Sequence, residues 1–167
     1  MGFLPRRAVM YIDFDGDGLP RDVQLRIGIA RRKDVPQKVF LALAGDEDVI
    51  TRMYVAANEL CSAEALGELA RDSEEKVRVG VAGNRSTPIS LLTFLAQDEC
   101  TTVREYLAMN SSCPTATLEK LASDSSFKLY GSLGFRGSEV RYWALRNPSI
   151  PASVIESLSP TSDRSLR

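Results

Sequence analysis

The chain has no histidine, and only three cysteines and one tryptophan among its 167 residues. The first absence removes the side chain best placed to move protons near neutral pH and the commonest imidazole metal ligand. No cysteine stands beside a candidate base, no Gly-rich phosphate loop precedes a helix, and no side-chain set makes a convincing metal site. Carboxylate-only chemistry stays open, but nothing in the spacing selects a pair. A protein that is not an enzyme and carries no cofactor is expected.

Long apolar runs are missing as well. None approaches the roughly 20 residues of a membrane-crossing helix, and the opening MGFLPRRAVM is too short and too soon polar for a secretory signal. No membrane contact and a cytoplasmic location are the expectations. Period-two alternation is absent from the central stretch, so strands do not compete with helices there.

What the chain does have is a repeat. Asn84 is followed by Pro88, Leu92, Leu95, Ala96 and Asp98, and Asn110 in the same register by Pro114, Leu118, Leu121, Ala122 and Asp124. Asn58 leads likewise to Ser62, Leu66, Leu69, Ala70 and Asp72, and Arg32, in the Asn place, to Pro36, Phe40, Leu43, Ala44 and Asp46. The steps from 32 to 58, 84 and 110 are each 26 residues, a period that marks a solenoid.

Each period holds two helical signals. The longer starts at Thr87-Pro88, read as an N-cap and first helical position, and places Leu91, Leu92, Leu95 and Ala96 on one face before Asp98. The shorter, Val77-Arg78 to Asn84, has barely two turns, which leaves it open between α and 3₁₀, and it ends on a residue that tolerates the left-handed conformation.

The pattern LAxDxxxxVRxxVAxNxxxPxxxLxxLAxD closely resembles the leucine-rich repeat variant family of bacterial proteins, over roughly Leu25 to Ser159. The resemblance implies an all-α, right-handed superhelical solenoid of alternating α and 3₁₀ helices, without the strands of ordinary leucine-rich repeats. The founding type carries an iron–sulfur domain on an N-terminal cysteine cluster. This chain has no such cluster, so that cofactor does not carry over. Cys61 and Cys113 hold the same place two repeats apart, beyond bonding distance at roughly 8–10 Å per layer. With Cys100 they read as reduced filler.

Residues 1–24 fall outside the repeat and read as a cap or extension. Within them Asp13, Asp15, Asp17 and Gly18 match the first half of a calcium loop, but Pro20 takes the eighth place and Gln24 the twelfth, where a bidentate Glu belongs. A solvated acidic turn is expected, with the three aspartates as weak metal candidates. The solenoid spans 25–159 and is irregular at 125–147. Asn110 to Asn147 is 37 residues, one period plus 11. That interval is either an insertion or, in the preferred reading, a doubled repeat that lost its long helix, with Leu129 and Leu133 still in register. Gly131, Gly134 and Gly137 make this segment a poor helix. Residues 160–167 form a polar tail.

Two sets of binding candidates follow. Arg26, Arg52, Arg78, Arg104 and Arg141 share one place of the repeat, and Asp46, Asp72, Asp98 and Asp124 close the long helices. Arg52, Arg78 and Arg104 each follow an Asp by six residues, close enough to pair across the turn and orient the helices. Unpaired, the same arginines would form a row able to grip phosphates. The second set is Tyr130, Phe135, Tyr142 and Trp143, clustered at the irregular segment.

Charge favours a protein partner. Basic and acidic residues number 8 and 5 in 1–38, 7 and 14 in 39–127, and 6 and 3 in 128–167. An acidic centre is the reverse of a nucleic-acid groove. The expected function is a non-catalytic repeat scaffold binding another macromolecule, a protein, across repeats. The alternative is a nucleic-acid-binding or nucleic-acid-modifying helical-repeat protein that uses the Arg ladder.

Overall fold

The computed structural model describes residues 18–125, 128–130 and 135–157. Among them the chain alternates between two rows of helices. The first row is α1 (Val23–Ala30), α3 (Val49–Ala57), α5 (Glu75–Gly83), α7 (Thr101–Met109) and α9 (Glu139–Arg146). The second is α2 (Gln37–Ala44), α4 (Ala63–Leu69), α6 (Ile89–Leu95), α8 (Thr115–Ala122) and α10 (Ala152–Ser157). Each first-row helix packs on the next one in its row, and α5 is held between α3 and α7. The second row is looser, with α6 resting on α5 and α7 rather than on its own neighbours. The stack is a helical-repeat solenoid.

Its core is the repeat pattern seen from inside. Phe40, Leu66, Leu92 and Leu118 occupy one place and are fully buried, as are Ala30, Ala56, Ala82 and Ala108 at another. Large side chains project from the second row and small ones line the first, so first-row helices approach closely. Gly80 marks the tightest point: a Cβ there would stand 2.9 Å from that of Ala56.

Local structure departs from the sequence reading in three ways. The Val77–Asn84 half is a true α-helix of 9 residues, and the half after Pro88 has 7, so the expected lengths are reversed. Pro36, Pro88 and Pro114 sit at the N-cap with extended backbone instead of at the first helical position, as Ser62 does in the same place of its repeat. Thr87 is no cap: its hydroxyl donates to the Val81 carbonyl at 2.7 Å. Asn84, finally, is extended, not left-handed, because its side chain is used elsewhere.

At the N-terminal end, Leu19 is buried in the core and the carbonyls of Pro20 and Arg21 accept from Arg26 Nη1. Residues 19–22 thus already take part in the first unit. At the irregular segment, Lys128–Tyr130 pairs antiparallel with Phe135–Gly137 in a two-stranded ribbon. Helix α9 packs directly on α7 with no layer between. The geometry matches an 11-residue insertion and corrects the preferred doubled-repeat reading: Leu129 lies in a strand, and Leu133 is outside the described residues.

Candidate functional site

The arginine ladder is built into the stack. Arg52 Nε donates to Asp72 Oδ2 at 2.6 Å, Arg78 Nε to Asp98 at 2.7 Å and Arg104 Nε to Asp124 at 2.9 Å. Arg26 Nε lies 2.7 Å from Asp46 as an ion contact. Each partner is thus the aspartate of the following repeat, not the one six residues back. The earlier turn supplies backbone instead: Arg78 Nη1 donates to the Asp72 and Ser73 carbonyls at 2.8 and 3.1 Å. The aspartates also close the second-row helices: the N–H groups of Asp46, Asp72, Asp98 and Asp124 donate to the carbonyls of Leu43, Leu69, Leu95 and Leu121 at 3.0–3.2 Å. Asp46, Asp72 and Asp98 accept from the backbone N–H two residues on, shaping the turn into the next first-row helix.

Electrostatics follow from this geometry. Hydrogen bonds to Asp72 and Asp98 make Arg52 and Arg78 hold their protons more tightly than usual, against the opposing effect of burial. Burial would raise the Asp72 carboxyl, but Arg52, the Glu74 N–H and Arg78 together hold it below its ordinary value.

A second ladder runs along the opposite edge. Asn84 Nδ2 donates to the carbonyls of Ala56 and Asn58 in the preceding repeat, at 2.8 and 2.9 Å, while Oδ1 accepts from Ser86 N. Asn58, Asn110 and Asn147 repeat the same contacts one layer earlier or later. Asn147 does so across the inserted ribbon. Both ladders hold layer to layer, and most of their donors are consumed doing it.

The remaining predicted residues are scattered. Asp13, Asp15 and Asp17 lie outside the described residues; among those described, no group of three His, Cys, Asp or Glu could hold a metal ion. Arg141 is exposed at the ladder place of α9. Tyr142, 51% exposed, meets half-buried Trp143 edge-on with centroids 5.1 Å apart, and Arg146 lies over the Tyr142 ring. Tyr130 and Phe135 are register partners in the ribbon. Cys61 and Cys113 are buried and unbonded, and desolvation pushes their thiols up to about 11 and about 12. Among the described residues no helix is long and apolar enough to cross a membrane.

One open feature escaped the sequence reading. Across the first row, Tyr54 on α3 and Tyr106 on α7 flank Gly80 and Gly83 on α5, leaving a hollow of about 380 Å³. A second hollow of about 400 Å³ lies on the other side of Tyr54, bounded by Arg31, Lys33 and Leu60. Tyr54, Ala57 and Glu59 border both, so the two hollows adjoin at Tyr54. Arg31 stacks over the Tyr54 ring, its Cζ 5.1 Å from the centroid. The signal was in one column of the repeat, where Gly28, Tyr54, Gly80 and Tyr106 alternate between no side chain and an aromatic ring before Trp143 ends the column.

Fold and clamps together define an α-helical repeat solenoid with a continuous open face. No protein-family model matches this chain, and no curated protein or solved structure matches it.

Proposed function

We propose that this chain is a non-catalytic repeat scaffold that binds another macromolecule, a protein, through a surface formed across repeats. We also place it with the leucine-rich repeat variant proteins, working in the bacterial cytoplasm. One observation carries the reading. The conspicuous polar residues of the repeat are spent inside the stack, while the face over α3, α5 and α7 stays open and mixes aromatic, apolar and charged side chains. Such a mixture on a rigid surface suits a protein partner.

The nucleic-acid reading requires arginines facing phosphates. Arg52, Arg78 and Arg104 would first have to release aspartates held at 2.6–2.9 Å, which weakens that reading. The test is affinity capture of the crosslinked chain from its native cells, with nuclease treatment and mass spectrometry. A protein retained in fixed ratio after nuclease is the expected result. Recovery of nucleic acid as the only stoichiometric companion would overturn the proposal.

A further inference from the structure

We infer that the two hollows astride Tyr54 form one groove that docks an extended, acidic peptide segment of the partner. This rests on the scaffold reading and adds the place and the chemistry.

Charge is the first ground. Residues 31–106, which span the groove, carry 10 basic and 13 acidic side chains, yet the groove is bordered by Arg31, Lys33 and Lys76 against the single carboxylate of Glu59. The acidic excess lies elsewhere, as at the exposed Glu47, Glu74, Glu75 and Glu99 beside the turns that lead into first-row helices. The groove is therefore a basic strip on an acidic body, and carboxylates are both attracted to it and repelled from its surroundings.

Shape is the second. Gly80 and Gly83 border the hollow between Tyr54 and Tyr106 without adding side chains to it. An apolar residue can enter between the rings, with acidic neighbours reaching Lys76 on one side and Arg31 and Lys33 on the other. Crossing from α1 to α7 covers three helix spacings of about 8–10 Å, a distance an extended chain spans with about eight residues. A single nucleic-acid strand fits less well, because its evenly spaced phosphates would pass Glu59 at the middle of the groove.

Random octapeptides displayed on phage and selected on the intact protein test this, with a fluorescent oligo-dT strand as the nucleic-acid probe. Selected sequences should be enriched in Asp and Glu around one apolar residue. The variant Arg31→Glu, Lys33→Glu, Lys76→Glu changes exposed side chains only, and it should bind those peptides about tenfold or more weakly and select Lys and Arg instead. Gly83→Leu should weaken every selected peptide by filling the hollow; its Cβ would stand in ordinary contact, 3.5 Å from Tyr106. Thermal midpoints of both variants check folding. No enrichment, a composition unchanged by charge reversal, or tighter binding of oligo-dT than of any peptide overturns the inference. If the captured partner stays bound to the charge-reversed variant, the groove is the wrong surface and the scaffold reading stands. Absence of any captured protein removes the scaffold reading itself.

Discussion

Arg78 and Asp98 stand 20 residues apart in the chain and 2.7 Å apart in space, with side chains 12% and 7% exposed. The guanidinium binds the carboxylate of the next layer with Nε and Nη2 and the backbone of the preceding turn with Nη1. It therefore joins two turns that the hydrophobic core alone would leave free to shear. Arg78→Ala should cost about 2–4 kcal/mol, since it strands a largely buried carboxylate and two carbonyls. Arg78→Lys should recover only part, because an ammonium cannot match the planar fork. Urea denaturation of both variants checks the order; a lysine variant as stable as wild type would show that charge alone suffices.

Asn84 makes a sharper comparison possible. Replacement by Ala, at a site 3% exposed, takes the side-chain donor from the Ala56 carbonyl and leaves the Asn58 carbonyl with the Cys61 N–H alone, at an expected cost of about 1–3 kcal/mol. Asn84→Asp has nearly the same shape but aims a carboxylate oxygen at two carbonyl oxygens. It should be the less stable of the two at pH 7 and should gain on the alanine variant as the pH falls. Denaturation midpoints at pH 7 and pH 5 give the answer.

Leu95, fully buried between layers, should lose about 2–5 kcal/mol on truncation to Ala. Phe94, its exposed neighbour at 47%, is the control. Phe94→Ala removes a ring stacked under Arg71 and should cost under about 1 kcal/mol. Equal costs would mean that the inward face is misassigned.

Acid should loosen the stack through Asp72. Its carboxyl titrates below the ordinary value of 3.8 in the folded protein, so its contribution is complete above that value and disappears as pH falls through the lower folded value. Asp72→Asn should be less stable at neutral pH and show a shallower loss between pH 5 and the acid limit. Calorimetric melts across that range would detect the difference; parallel curves would assign the acid sensitivity to other carboxylates.

Thiol reactivity should divide the cysteines. Cys100 is half exposed, whereas Cys61 and Cys113 are buried with thiols pushed up to about 11 and about 12. Near neutral pH an aromatic disulfide reagent should titrate one thiol per native chain promptly and the other two only after denaturant is added.

The repeat was legible because Leu92, Leu95 and Ala96 recur at fixed offsets, and burial leaves little freedom in which face they turn inward. The partner of each Arg was not. On a ladder of period 26, an Asp six residues before Arg78 and one 20 after it belong to the same column, and sequence offset cannot say which layer the side chain reaches. Helix lengths were misjudged because Pro88, like Ser62 in the same place, is itself the N-cap, so the helix begins one residue later than Thr87-Pro88 suggests. The inserted ribbon hid behind Leu129, whose spacing imitated a repeat. The groove was overlooked because glycines border it, and they signal by lacking side chains.

Asparagines reach back one layer and arginines reach forward one layer, along opposite edges of the same stack. Interior layers are thus chemically interchangeable: a chain shifted by one whole repeat, or two chains trading repeats, would re-form nearly every clamp. Only the odd features tell one floor of the stack from another. Arg32 replaces asparagine in the first unit, Ser62 replaces proline in the second, and the 11-residue ribbon interrupts the approach to α9. These irregularities are what give the stack an address system, and erasing them in a regularised version should favour slipped and exchanged forms over a single register.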